Sequence, residues 1–525
     1  MSDRTPPRPQ LEATPETRAA ALPPEPAPPP IPEDAGSPAP RLAPKVEGLA
    51  RGARKAMLAN GFAPDFPEEV LREIEALAAG APVLTGSERD LRGLCWSSID
   101  NRESRDLDQI EVAERLEGGA VRLLIGIADV DAFVRQGSAL DTHAHKNSAS
   151  IYTGITVFPM LPEELSNDRT SLNPDEDRPA IVIEIVVKAD GEIASSDVYG
   201  ALVRSRAKLA YEDIAAWLDG AAPPPEVAAN PELGRQLRMQ DEVAQKLKVL
   251  RKERGALDLE TVEARPVTMG DELIGLTVTR TNRARDMIED FMISANGAMA
   301  RFLEAAGATS IRRVVRAPER WQRLCALAAQ LGDTLPAEPD SGALAALLAR
   351  RKAAAPERFV DFSLAVVKLM GPGEYALDRP GTPSPGHFGL AVQDYTHSTA
   401  PNRRYADLVT QRLVKAAIAK RPSPYAEDAL EAIALHCTLK ENDARKVERI
   451  TRKEAAALFL ASRLGETFDG VITGVSSKGV FVRLLHPPAE GRVVRGEKGL
   501  DVGDRVRVKL TATEPSRGFI DFTRE

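Results

Sequence analysis

Three aspartates fall within nine residues of the stretch IDNRESRDLDQIEV: Asp100, Asp106 and Asp108, with Gln109 next in line. Asp106 and Asp108 are two apart, so an extended chain turns both carboxylates to one side. Asp100 can fold back on them across the turn-forming residues 101–104. Carboxylates brought together repel and drive their pKa values upward unless a cation holds them. A hard divalent ion, Mg2+ or Mn2+, suits such oxygen ligands and shares its shell with phosphate and water. The chemistry would be phosphoryl transfer by a metal-activated water. Spacing alone leaves other readings open, chiefly a solvated Asp-rich turn. An EF-hand is excluded, because the sixth residue from Asp106 is Glu111 rather than glycine. The D-x-D of a sugar transferase would need a nucleotide-binding half, and none is evident.

The cluster must be positioned by strands. IEVAERLEGGAVRLLIGIADVDAF reads as two strands around Gly118 and Gly119, and AIVIEIVVKADGEI as a hairpin turning at Asp190 and Gly191. Helices are expected over 210–220 and 231–255, each ending on a glycine, and over 284–307, 402–420 and 441–465. Residues 46–88 fit two short helices, with Pro67 near the start of the second and Gly80 at its end. Strands followed by helices give an α+β class, a mixed sheet surrounded by helices. The last sixty or so residues change to short, regularly spaced β runs, the pattern of a small all-β barrel.

The chain has 525 residues, more than one ordinary core accommodates. Its 43% hydrophobic and 28% charged residues are those of a globular protein. A net charge of −8 excludes a uniformly cationic surface but leaves room for a basic channel. Cys95, Cys325 and Cys437 lie far apart, outside metal-ligand spacing, which fits a reducing compartment. With no long apolar run and no signal-like start, a cytoplasmic protein without membrane attachment is expected. Residues 1–45 hold 14 of the 40 prolines, too many for a packed core. A disordered, solvated tail is expected there, a polyproline ligand for a protein partner being the alternative.

The stretches IGIADVDAFVRQGSALDTHAHKNSASIYTGITVFPMLPEELSNDRTSLNPDEDRPA, RDMIEDFMISAN and GHFGLAVQDYTHSTAPNRRYADLVTQRLVK, with the spacing between them, resemble the ribonuclease II (RNB) family. The resemblance runs from about 89 to 463, and the final segment, 464–525, resembles the S1-like OB barrel that follows this catalytic domain. It implies a processive 3′→5′ exoribonuclease. Single-stranded RNA would enter a buried channel, and Mg2+ or Mn2+ would support hydrolysis to nucleoside 5′-monophosphates. A monomer is expected.

The family places four aspartates in I-D-x(5)-D-x-D-D. Asp100, Asp106 and Asp108 match the first three, the third being the least dispensable, while Gln109 stands at the fourth. A neutral amide oxygen there implies weaker or shifted metal binding. Tyr152 matches the tyrosine that stacks on the 3′-terminal base, whereas Leu259 stands where the family has the opposing aromatic. Tyr211 and Glu289 match residues that recognise ribose, and Arg403 matches the arginine that clamps the scissile phosphate. Ala400 and Asn402 depart from the family's S-P-I-R.

Arg404 and Arg412 are open between phosphate contact and structural ion pair. His387 and His397 read as hydrogen-bonded structural residues, and the basic helix at 445–453 as a solvated face or an RNA track. Bacterial members carry two cold-shock domains before the core, for which 46–88 is too short; weaker grip on long RNA is the expectation. The competing readings are an RNA-binding protein without activity, motivated by Gln109, and a DNase, opposed by Tyr211 and Glu289.

Overall fold

The computed structural model describes residues 46–525 apart from 79–81, 83, 85, 261–263 and 279–280. The proline-rich tail and the helix stop at Gly80 lie outside the described residues. Two helices, α1 (Glu47–Ala59) and α2 (Glu68–Ala78), precede the sheet.

The six-stranded sheet is built from β1 (Trp96–Asp100), β2 (Gln109–Arg115), β3 (Val121–Ala128), β4 (Asp177–Val187) and β5 (Ile193–Ala210), with the two-residue edge strand Arg89–Asp90 parallel to β5. β2 and β3 form an antiparallel hairpin, and β4 pairs antiparallel with β3 after a long connection that includes the helix Ala139–Asn147. The long β5 pairs antiparallel with β4 along its first part and parallel with β1 along its last. The sheet therefore curls back on itself, bringing the ends of β1 and β2 together. Apolar, β-branched residues fill these strands, and Ile99, Ile110, Ile125, Ile127 and Ile183 are fully buried. Gly191 at the β4–β5 turn has φ +90°, and a Cβ there would lie 2.8 Å from the Lys246 carbonyl oxygen. Glycine alone fits both constraints.

Helices α3 (Tyr211–Leu218), α4 (Pro231–Glu253) and α5 (Arg283–Ala305) pack on this core, followed by α6 (Tyr405–Ile418) and α7 (Glu427–Ala461). Asn230 caps α4 and Asn282 caps α5, each side chain accepting from the first turn. Helix α6 starts at Tyr405 rather than 402, because residues 400–404 form the turn that faces the aspartates. Helix α7 starts at Glu427 rather than 441, one continuous 35-residue element. Between α4 and α5 lies a hairpin, 264–278, and helices at 321–370 bury a separate small cluster around Trp321 and Phe359. None of these carries a clean sequence signal.

A closed five-stranded barrel ends the chain: β6 (Thr467–Ser476), β7 (Gly479–Leu484), β8 (Glu490–Arg495), β9 (Arg505–Glu514) and β10 (Phe519–Arg524). Its core includes Ile472, Val482, Val508 and Phe522, and Ala457 and Leu460 of α7 complete it. The class is thus α+β with a terminal β-barrel, as the residue pattern indicates.

Candidate nuclease site

Asp100 closes β1, and Gln109 opens β2. The loop between them carries Asp106 and Asp108, and its shape is set from outside. Ser171 Oγ accepts from the Leu107 N–H at 3.0 Å and donates to the Arg105 carbonyl at 2.7 Å. Lys208 Nζ donates to the Arg102 carbonyl at 3.0 Å and to that of Ser104. Backbone pairing of Leu172 with Leu107 completes the brace.

Each carboxylate is turned to its own donor. Gln109 Nε2 donates to Asp100 Oδ2 at 3.2 Å. Tyr152 donates its hydroxyl to Asp106 Oδ2 at 2.7 Å. Asp108, 2% exposed, accepts the Asn402 N–H at 3.0 Å and Arg403 Nε at 3.2 Å. Gln109 therefore presents its amide nitrogen, not the carbonyl oxygen foreseen from its type, because a carboxylate neighbour calls for a donor. Among the described residues, no three His, Cys, Asp or Glu side chains converge tightly enough to hold an ion unaided.

Burial pushes the Asp108 carboxyl up to about 7; Arg403 pulls it back down and Asp106 adds to the rise. Asp100 is pushed up to about 6, by burial first and by Asp106 second. Both shifts mark sites where positive charge would be welcome. The donors are all oxygen, and an Mg2+-like ion takes one or two carboxylates and completes its shell with phosphate and water. The residues present fit such an ion with Asp100, Asp106 and Asp108 as its holders.

A cavity of 990 Å3 opens beside Asp106 and Tyr152, lined also by Arg102, Arg105, Arg265 and Arg285. Tyr152 is 42% exposed. Tyr211, the first residue of α3, lies under the Arg285 guanidinium at 4.3 Å, and Arg285 also bonds Asn101 at 2.8 Å. Arg285 is thus a site residue that sequence reading missed; nothing in its spacing sets it apart from other arginines. Ser171 was missed for the same reason. Glu289 and Leu259 line a smaller recess of 210 Å3 with Arg251, which stands 3.8 Å from Glu289. Thr281 lines both cavities. Leu259 also packs against the Trp321 cluster, so it presents an apolar wall and no ring.

The remaining basic candidates have partners within the chain. Arg404 is paired with buried Asp407 at 2.7 and 2.8 Å, which is the ion-pair arrangement of the two open for it. Arg412, 4% exposed, bonds Asp131, Asp141, Tyr425 and the Val134 carbonyl. His387 caps the turn at Leu390, and His397 bonds Tyr375 at 2.8 Å. On α7, Arg445 and Lys446 pair with Glu441 and Asp443.

Fold and site together define an RNB catalytic domain followed by an S1-type barrel. The RNB domain family matches residues 88–420, and the RNase II-type exonuclease C-terminal S1 domain matches 466–525. The chain belongs to the RNB family. It is 30% identical over 491 residues to Ribonuclease R 1 of Lactococcus lactis, covering 87% of this chain and 59% of that protein. It is 31% identical over 499 residues to Ribonuclease R of Escherichia coli, covering 87% of this chain and 60% of that one. The chain therefore spans less than two thirds of these relatives. Among solved structures, Mycoplasma genitalium RNase R in complex with ribose methylated single-stranded RNA matches with a TM-score of 0.82 at 25% identity. That match covers 91% of this chain and 78% of the other.

Proposed function

We propose that the chain is a divalent-metal-dependent, processive 3′→5′ exoribonuclease that hydrolyses single-stranded RNA to nucleoside 5′-monophosphates. The observation that carries this reading is the junction of Asp108 with Arg403 at 3.2 Å. It sets a metal-type carboxylate beside a phosphate-type guanidinium, although the two are 295 residues apart.

Tethered at Nε, Arg403 keeps its terminal N–H groups for the scissile phosphate. Fixed donors there stabilise charge that develops on phosphoryl oxygens. The divalent ion, Mg2+ or Mn2+, when bound by the aspartates, supplies an activated water and neutralises phosphate charge. Tyr152 stacks on the 3′-terminal base while its hydroxyl orients Asp106; stacking accepts any base. Tyr211 and Glu289 meet the ribose, whose 2′-hydroxyl separates RNA from DNA. Arg285 holds the Tyr211 ring. The three cysteines are unpaired, consistent with a reducing cytoplasm. Among the described residues, no helix is long and apolar enough to cross a membrane.

The test is 3′-labelled single-stranded RNA with Mg2+ or Mn2+. Release of mononucleotides, lost in Asp108→Asn with RNA binding retained, supports the reading. A second reading, an RNA-binding protein without activity, is favoured by the Gln109 amide bound to Asp100. It would be upheld by RNA binding with no release under either metal.

A further inference from the structure

We propose that Glu111 supplies the metal site with the fourth negative charge that Gln109 lacks; this rests on the nuclease reading above. The two residues are separated by one position on β2, so strand alternation turns them to the same face. Glu111 is 0% exposed, and neither of its carboxylate oxygens has a hydrogen-bond partner. It lies within electrostatic reach of Asp100 and of Tyr211; burial first and the Asp100 charge second hold its carboxyl well above the usual range, so it keeps its proton in the ion-free chain and gives it up as a cation binds. Its cross-strand partner on β1 is Ser97, also 0% exposed, whose hydroxyl is likewise without a partner.

A buried carboxylate with no donor is costly, and native interiors seldom keep one without a compensating ligand. The usual remedy, a neighbouring Arg or Lys, is absent from its surroundings as described: its electrostatic neighbour is another acid, Asp100. Positive charge arriving at Asp100 relieves both groups at once. Gln109 changes what that ion meets, since its amide nitrogen points at Asp100. The charge removed at 109 is restored two residues along the same face, at a fully buried position.

The experiment measures Mn2+ binding to the whole chain by electron paramagnetic resonance, with adenosine 5′-monophosphate added to complete the shell. Thermal unfolding is followed with and without Mn2+, since an ion bound only by the folded state raises its stability. Glu111→Gln is expected to weaken Mn2+ affinity about ten- to a hundred-fold and to shrink the thermal shift that Mn2+ gives. The double variant Gln109→Asp/Glu111→Gln, which moves the charge back by two residues, is expected to regain parental affinity. Unchanged Mn2+ affinity in Glu111→Gln, with the parent binding Mn2+ and degrading RNA, overturns the inference and leaves the nuclease reading intact. A parent that neither binds Mn2+ nor degrades RNA overturns both. If Glu111→Gln does not fold, Glu111→Met, an apolar side chain of similar length suited to a buried position, takes its place: weakened Mn2+ affinity in the folded variant upholds the inference, and parental affinity overturns it.

Discussion

The Gln109 side chain donates to Asp100 across the mouth of the β1–β2 loop at 3.2 Å, where a fourth carboxylate would have opposed it. Gln109→Asp replaces that donor with a like charge. Without divalent ion the variant is expected to be less stable by about 1–3 kcal/mol, the scale of a lost hydrogen bond to a charged group. With Mg2+ the deficit is expected to close. Urea unfolding in EDTA and in Mg2+ measures both; equal stability in EDTA would show that the contact contributes nothing.

The pH dependence of the site follows from its raised carboxyls. Asp108 titrates at about 7 and Asp100 at about 6 in the folded chain. Unfolded, both would titrate near 4, so between about pH 4 and 7 the folded state holds the extra protons. Their contribution therefore falls as pH rises through that window and is fully lost above it. In EDTA, the stability of Asp108→Asn relative to the parent is expected to rise from pH 4 to 7 and then level. A difference that stays flat with pH would contradict the assignment.

Arg403 is argued to act through a planar guanidinium tied to Asp108. Arg403→Lys keeps the charge but loses the fork. The turnover rate is expected to fall about 100- to 1,000-fold, the scale for removing one oriented donor, with RNA affinity nearly unchanged. Single-turnover kinetics on a short RNA provide the readout. A loss confined to affinity would assign Arg403 to binding alone.

Tyr152 serves two neighbours, and two substitutions separate them. Tyr152→Ala is expected to weaken binding of the 3′ end by about 1–3 kcal/mol through lost stacking. Tyr152→Phe keeps the ring and frees Asp106 from its 2.7 Å bond, so affinity should hold while the metal requirement shifts. Equal effects on affinity from both variants would argue against stacking.

The barrel is docked through a backbone contact. Gly518 has φ +63°, and a Cβ there would lie 2.6 Å from Lys453 Cβ and 2.9 Å from the Lys453 backbone on α7. Gly518→Val should loosen the barrel from α7. We expect weaker binding of RNA long enough to reach the barrel, with turnover of the shortest substrates retained. Fluorescence anisotropy across an RNA length series tests this; a loss equal at every length would point to global unfolding instead.

The sequence by itself determined the elements with strong periodicity: the two hairpins around β2–β5, helices α3 to α5, and the terminal β runs. Short-range physics governs those, through alternation, turn glycines and caps. It also singled out Asp100, Asp106, Asp108, Tyr152 and Arg403 by type and motif. Tertiary structure alone decided how their charges are partnered. Asp108 meets Arg403 and the Asn402 backbone because β2 and the turn before α6 are neighbours in space, which no local pattern encodes. The same holds for Arg285 over Tyr211 and for the isolation of Glu111. Arg404, next in sequence to Arg403, turns instead to a buried aspartate one helical turn away. Residue type sets what charge a side chain carries, but only the packed neighbours decide whether that charge is paired, shared or left to await a ligand.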